Sequence, residues 1–187
     1  MQQHTDNIPK VRYQGLHLWV QSMIMFFLPA IFLLTFVGQS VEVRGNSMLP
    51  TFQDGDQTIT RSIFYTPRHG DVIVFSRHDV QDGTMLVKRV IALEGDVVDI
   101  HPVTGTVFVN YEAIDEPYAS DHVTLPGDIA YPFTVPPGYI FVLGDNRSPG
   151  GSLDSRSTRL GPVDEREVIG QVVAVIAPLN RLALFVG

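Results

Sequence analysis

The sequence predicts an all-β fold class: an antiparallel β domain with an inserted hairpin, preceded by one transmembrane helix. The first forty residues contain a long apolar run. Beyond them, short β-branched segments alternate with Gly, Pro and Asp, and no long helical period follows. With 187 residues, the chain has room for one compact domain and a short appendage.

The apolar run extends from Trp19 to Val37 and contains no charged residue. A helix rises about 1.5 Å per residue, so this run crosses most of a hydrocarbon core of about 30 Å. We therefore predict a transmembrane signal anchor at residues 19–38. Small residues at Gly38 and Ser40 leave a cleaved signal peptide as an alternative, although the run exceeds the usual apolar length of about 7–15 residues.

The charges on either side of the run predict its orientation. Lys10 and Arg12 precede it, and only Arg44 follows closely. The positive-inside rule places residues 1–18 in the cytoplasm and residues 39–187 on the other side of the membrane.

Eight strands are predicted after the anchor, from β-branched runs bounded by turn residues. Gly105 lies between two of them and indicates a hairpin outside the main sheet, so we assign 97–137 to an inserted hairpin and its linker. The C-terminal apolar residues are interpreted as a buried strand followed by a tail. The predicted strands are Val41–Arg44, Gln57–Thr60, Asp71–Ser76, Met85–Ala92, Val97–Ile100, Thr106–Asn110, Tyr139–Leu143 and Val168–Ile176.

Composition excludes several classes of chemistry. The net charge is −7 and no basic stripe occurs, which disfavours nucleic acid as a partner. The chain has no cysteine, so a disulfide framework and a thiol nucleophile are absent. Its six histidines have no metal-ligand spacing, and the common phosphate-binding glycine motifs are missing. We expect neither a metal nor a cofactor.

Lysine usage points to a candidate base. The chain has eleven arginines but two lysines, Lys10 before the anchor and Lys88 in the β domain. Arginine keeps its proton in proteins, whereas burial can lower the pKa of a lysine by up to about 3–5 units. Lys88 shares one face of a predicted strand with Leu86 and Val90, so it is desolvated if that face is the core. The alternative is that Lys88 extends to solvent from an edge strand or pairs with a nearby carboxylate.

Ser47 lies in a turn that can present its hydroxyl at a fixed angle. Gly45 and Asn46 precede it and Pro50 follows, so the turn combines a flexible entry with a stiff exit. Read alone, a serine in such a turn is most often a turn residue.

Four ordered segments closely resemble those of bacterial type I signal peptidases (leader peptidases). These enzymes are membrane-bound serine endopeptidases that release exported proteins from their N-terminal signal peptides with a Ser/Lys dyad. The resemblance extends over residues 18–177. The matching segments are Gly45–Thr51, Gly70–Phe75, Val87–Asp96, and Gly144–Arg147 followed by Ser152–Arg156.

The resemblance implies a role for each matching residue. Ser47 is the nucleophile and Lys88 the general base. Ser152 orients Lys88 through a hydrogen bond. The remaining supporting residues lie in the same motif, where the carboxylates and the arginine form an ion-paired scaffold; they are Asp145, Asn146, Asp154 and Arg156.

Two positions depart from the family pattern. Some members carry a serine at the position of Gly45, and its hydroxyl completes the oxyanion hole there. The loop between Arg147 and Ser152 is longer by two residues, which leaves Ser148 as an alternative to Ser152.

The resemblance also implies partners and a location. The partners are preprotein signal peptides with small residues at −1 and −3, and the lipid bilayer through the N-terminal helix. The location is the bacterial plasma membrane, single-pass, with a cytoplasmic N-terminus and an extracytoplasmic catalytic domain. Two alternatives are a repressor-like Ser/Lys autoprotease, disfavoured because no DNA-binding domain is present, and a membrane-tethered scaffold that binds exported peptides without cutting them.

Overall fold

The computed structural model describes residues 12–36, 39–77, 84–120 and 124–185. The chain divides into two compact units, Met1–Val37 and Gly38–Gly187. Residues 1–11 of the expected cytoplasmic segment and residues 37–38 of the expected anchor lie outside the described residues.

The first unit contains the helix α1, Arg12–Phe36, which includes Pro29. It begins seven residues before the apolar run. Residues 15–29 are all exposed, so this part of the helix has no buried apolar face opposite a polar one. Within the described ranges, no helix meets the combination of length and apolarity required to cross a membrane.

The larger sheet of the second unit has eight strands among the described residues, and neighbouring strands are antiparallel. Its strands are β1 Gln39–Glu42, β2 Gln57–Arg61, β3 Val72–Ser76, β4 Met85–Ala92, β9 Tyr139–Leu143, β10 Val163–Asp164, β11 Val168–Ala177 and β12 Ala183–Leu184. They follow the order β1-β2-β11-β3-β4-β9-β10, with β12 beside β11. The predicted antiparallel β fold is therefore confirmed.

The smaller sheet has four described strands in the order β7-β6-β5-β8. Here β5 is Val97–Ile100, β6 Val107–Val109, β7 Glu112–Ala113 and β8 Phe133–Thr134. The predicted hairpin forms as β5 and β6, which pair with each other apart from the larger sheet. Two 3-10 helices, Glu165–Glu167 and Leu179–Arg181, flank β11.

Strand bounds agree with the sequence prediction for three strands and differ for others. The bounds of β4, β5 and β9 are as predicted. Strand β1 begins and ends two residues earlier than predicted, because the backbone of Val43 leaves the ladder and bonds to Asp56 and Gly55. Strands β7, β8, β10 and β12 were missed because two residues carry no periodic signal.

Strand β4 lies at the centre of the core. After Met85 every one of its residues is buried, so both faces are covered. Leu86 and Val90 pack with Ile73 in one apolar cluster, and Val87 packs with Val74 in another. A third cluster lies around Phe141 of β9 and includes residues of the smaller sheet. A polar side chain on β4 is therefore removed from water.

Replacement of Phe141 by alanine will destabilise the β domain. Phe141 is fully buried and packs beside Phe133, whereas Phe64 is fully exposed and serves as the matched control. Loss of a buried phenylalanine costs about 3–5 kcal/mol, and a surface change about 0.5 kcal/mol or less. Denaturant unfolding measures both variants, and equal stabilities for Phe141→Ala and Phe64→Ala would contradict this packing.

Candidate active site

The Ser47 turn is held at both ends. On its entry side the Gly45 N–H donates to Asp54 Oδ1 at 2.7 Å. On its exit side Met48 and Phe52 are buried, and the Phe52 N–H donates to the Met48 carbonyl at 2.9 Å. Ser47 itself is half-buried. The core residues that follow it therefore fix the position of a partly accessible hydroxyl.

Lys88 points from β4 to this hydroxyl. Its Nζ lies 2.7 Å from Ser47 Oγ and donates a second hydrogen bond to the Val87 carbonyl at 2.9 Å. The residue is 2% exposed. The face that Lys88 shares with Leu86 and Val90 is a core face, which decides between the two alternatives that the strand period left open.

Burial lowers the Lys88 pKa from 10.5 to about 8. Removal from water disfavours the ammonium form, and the positive charge of Arg156 acts in the same direction. The negative charges of Asp154 and Asp145 oppose this shift but are smaller in effect than burial. Lys88 can therefore be neutral in a substantial fraction of molecules near neutral to weakly alkaline pH.

The Gly144–Arg147 loop donates hydrogen bonds to the backbone of the Ser47 turn. The Asn146 N–H donates to the Ser47 carbonyl at 3.1 Å, and Asn146 Nδ2 donates to the Asn46 carbonyl at 3.0 Å. A side chain at Gly144 would overlap both the Ser47 carbonyl oxygen and Ser152. Glycine at position 144 thus permits this close approach.

Ser152 does not make the hydrogen bond to Lys88 that the resemblance implied. Ser152 Oγ is buried and has no hydrogen-bond partner of normal geometry among the described residues. It is near enough to Asp154 to help lower the pKa of that carboxyl group. The Ser148 N–H donates to Asn146 Oδ1 at 3.2 Å. The amine of Lys88 is instead held by Ser47 and Val87.

The expected ion-paired scaffold is divided into two separate pairs. Arg156 donates to both carboxylate oxygens of Asp154 at 2.8 Å, and the Gly144 N–H donates to Asp154 Oδ2 at 3.1 Å. Burial by itself would raise the Asp154 pKa, but the hydrogen bonds and charge of Arg156 outweigh it and lower that pKa. Asp145 pairs with Arg89 at 2.8 and 2.6 Å, rather than with Arg156.

The backbone N–H groups of Gly45 and Ser47 differ in their hydrogen bonding. The Ser47 N–H has no acceptor among the described residues. The Gly45 N–H is occupied by Asp54. Gly45 has φ +81°, in the left-handed region where side chains are strained. Nothing in this turn supplies the hydroxyl found in some relatives.

Three residues near the site were given no role by the sequence prediction. Arg89 directly follows Lys88 in β4, is buried and pairs with Asp145. Arg147 is fully buried and pairs with Glu116, which lies 31 positions earlier in the chain. Arg147 lies within one of the matching motif segments, which could have indicated a role for it. No local sequence pattern indicated a role for Glu116. Within the described ranges, no group of His, Asp or Glu side chains is arranged to hold a metal ion.

An antiparallel β domain that places a serine hydroxyl against a buried lysine amine defines the Ser/Lys class of serine peptidases. Within that class, the family described as signal peptidase, peptidase S26, matches residues 16–177. This chain therefore belongs to the S26 signal peptidase family.

Relatives support this assignment over most of the chain. A signal peptidase I of Bacillus licheniformis is 32% identical over 175 residues, which cover 88% of this chain and 90% of that protein. A signal peptidase I of Bacillus caldolyticus is 36% identical over 162 residues, with coverage of 79% and 84%. The crystal structure of a signal peptidase I from Enterococcus faecalis V583 aligns with 57% of this chain and 97% of that chain, at 29% identity and a TM-score of 0.47.

The lowered pKa of Lys88 predicts how stability depends on pH. Between about 8 and 10.5 the unfolded chain binds more protons at this residue than the folded chain. The free energy of unfolding therefore rises with pH in this window, by about 1.4 kcal/mol per unit at most. Lys88→Met lacks this contribution. Denaturant unfolding at pH 8.0 to 9.5 measures the difference, and parallel profiles for wild type and Lys88→Met would contradict the shift.

Proposed function

We propose that this chain removes N-terminal signal peptides from exported preproteins, with Ser47 as nucleophile and Lys88 as general base. The observation that carries the proposal is the 2.7 Å approach of the buried Lys88 Nζ to Ser47 Oγ. A base must reach the proton that it removes, and this distance lies within hydrogen-bond range.

Each step of peptide cleavage then has a group to perform it. Neutral Lys88 accepts the Ser47 hydroxyl proton as Oγ attacks the scissile carbonyl. The Ser47 N–H stabilises the developing oxyanion, and protonated Lys88 gives its proton to the leaving amine. Water then attacks the acyl-enzyme, with Lys88 again as base. Asn146 Nδ2 donates to the Asn46 carbonyl, which lies in the same peptide plane as the Ser47 N–H, and thereby fixes the direction of this donor.

The substrate binds as an extended strand beside the dyad. Strand β1 pairs only with β2 in the described part of the chain, so its other edge is open. Strand β4 pairs with β9 only from Arg89 onward. On that side of β4, residues 85–88 have no strand partner among the described residues. A groove of about 300 Å³ is lined by residues of β1 and by the start of β4. These features support β-augmentation between the two edges.

The bilayer partner and location are part of the same proposal. The uncharged run Trp19–Val37 is retained as a single-pass anchor in a bacterial plasma membrane, with residues 1–18 cytoplasmic and the β domain at 39–187 extracytoplasmic. Exposed apolar side chains of α1 support it, including Trp19, Met25 and Leu28. Sharing one bilayer with its substrate raises the effective concentration of the enzyme.

Replacement of either dyad residue will abolish cleavage of a preprotein with alanine at −1 and −3. Ser47→Ala lacks the nucleophile and Lys88→Ala lacks the base, so each should lose at least about a thousandfold in kcat/KM. Lys88→Arg is equally inactive because arginine keeps its proton. Lys10→Arg, which replaces the other lysine but keeps its positive charge, is the matched control and keeps wild-type activity.

The pH profile of the same assay separates this mechanism from others. Because Lys88 acts in its neutral form, kcat/KM of the wild type should rise through a pKa of about 8 and then level off. Retained cleavage in Lys88→Ala would refute the dyad. A wild type that binds the preprotein without cutting it would favour the scaffold alternative.

Membrane attachment is tested with the full chain and one variant. The wild type should stay in the membrane fraction after alkaline carbonate extraction, since an apolar anchor does not depend on charge. Leu28→Arg places a charge near the centre of the run, at a cost of about 2.5–3.5 kcal/mol, and should increase the extracted fraction. A wild type extracted as fully as this variant would overturn the anchor proposal.

A further inference from the structure

The segment Glu116–Ser120 connects the smaller sheet to the active site. It follows β7 of the smaller sheet and lies against the Gly144–Arg147 loop and against Arg89 of β4. None of its residues belongs to the dyad or to the two ion pairs beside it. We refer to it below as the strap.

The first contact of the strap neutralises a buried cation. Arg147 has no exposed surface, and its guanidinium donates to both Glu116 oxygens at 3.0 and 2.5 Å. The same side chain donates to the Thr124 hydroxyl at 2.8 Å and to the Gly144 carbonyl at 2.8 Å. A buried charge requires a partner. Glu116 thus holds Arg147 in place, and Arg147 in turn holds the backbone at Gly144.

The second contact reaches the serine. The Ser120 N–H donates to the Asp145 carbonyl at 2.9 Å, and Ser120 Oγ accepts from the Arg147 N–H at 3.0 Å. Between these two residues lies Asn146, whose N–H donates to the Ser47 carbonyl. Ser120 therefore fixes the backbone on both sides of the residue that supports Ser47.

The third contact reaches the lysine. The Tyr118 ring lies 3.9 Å from the Arg89 guanidinium carbon, in a cation–π arrangement, and Arg89 is the residue after Lys88. The Tyr118 hydroxyl donates to Glu116 Oε1 at 3.2 Å. A hydrogen bond within the strap thus links Tyr118 to Glu116, which is the counter-ion of Arg147.

We propose that the strap is a positioning element that sets the distance between Ser47 Oγ and Lys88 Nζ, with Glu116 and Tyr118 as its positioning residues. It acts on the serine through Arg147 and Asn146, and on the lysine through Arg89. The inference depends on the proposed Ser/Lys mechanism. The smaller sheet then also contributes to catalysis, because the strap follows its strand β7.

The consequence is a selective loss of kcat. Displacement of reacting groups by about 1 Å can reduce a rate by about a hundredfold. Glu116→Gln removes the counter-ion of Arg147 at nearly constant shape, and we expect kcat to fall by about 10- to 100-fold with KM within about twofold. Glu112→Gln changes an exposed carboxylate of β7 and serves as the matched control with wild-type kinetics.

Tyr118 offers a second test that leaves all charges in place. Tyr118→Phe keeps the ring over Arg89 and should keep most of the activity. Tyr118→Leu keeps the apolar volume but loses the ring, and we expect kcat to fall by about tenfold. All variants are assayed as full chains, with the preprotein substrate described above, well below their unfolding temperatures.

A double variant separates positioning from folding. In Glu116→Gln/Arg147→Met the unpaired buried cation is gone, so the unfolding temperature should recover toward that of the wild type. If the strap positions the dyad, kcat stays low in this variant. Recovery of kcat together with stability would overturn the inference, as would wild-type kcat in both Glu116→Gln and Tyr118→Leu. Absence of cleavage by the wild type would instead refute the proposed function.

Discussion

The burial of one lysine amine against one serine hydroxyl is the constraint on which the site depends. Lys88 becomes a usable base only because β4 is covered on both faces. One face is covered by the apolar cluster of Leu86, Val90 and Ile73, and the other by the cluster of Val87 and Val74. The same burial removes Lys88 from water and brings it to Ser47, so the fold creates reactivity and geometry together.

The arginines make this arrangement possible. Two buried carboxylates, Asp145 and Asp154, lie near enough to Lys88 to raise its pKa. Each is engaged by its own arginine, Arg89 or Arg156, in a bidentate pair. The effect of burial on the Lys88 pKa nevertheless outweighs that of the two carboxylates, and the positive charge of Arg156 acts in the same direction as burial.

The sequence predicted features that arise from local pattern and missed those that depend on distant contacts. The bounds of β4 followed from an apolar run, and a period of two put Lys88 on one face with Leu86 and Val90, but the pattern left open whether that face was buried. The partner of Asp145 was not predicted, because Arg89 lies 56 positions away in the chain. Glu116 was missed for the same reason. The bond from Ser152 to Lys88 was inferred from resemblance, and Ser152 lies in a loop whose length departs from the family.

The φ angle of Gly45 determines whether this turn can accept the serine that some family members carry at the same position. A serine at this position would meet open space, yet it would have to adopt φ near +81°, which favours glycine. The Gly45 N–H also donates to Asp54, so this second backbone donor is not free to bind an oxyanion. A serine at position 45 would therefore strain the turn that presents Ser47. In the proposed mechanism the oxyanion is stabilised first by the Ser47 N–H, whose direction depends on the hydrogen bond from Asn146 Nδ2 to the Asn46 carbonyl.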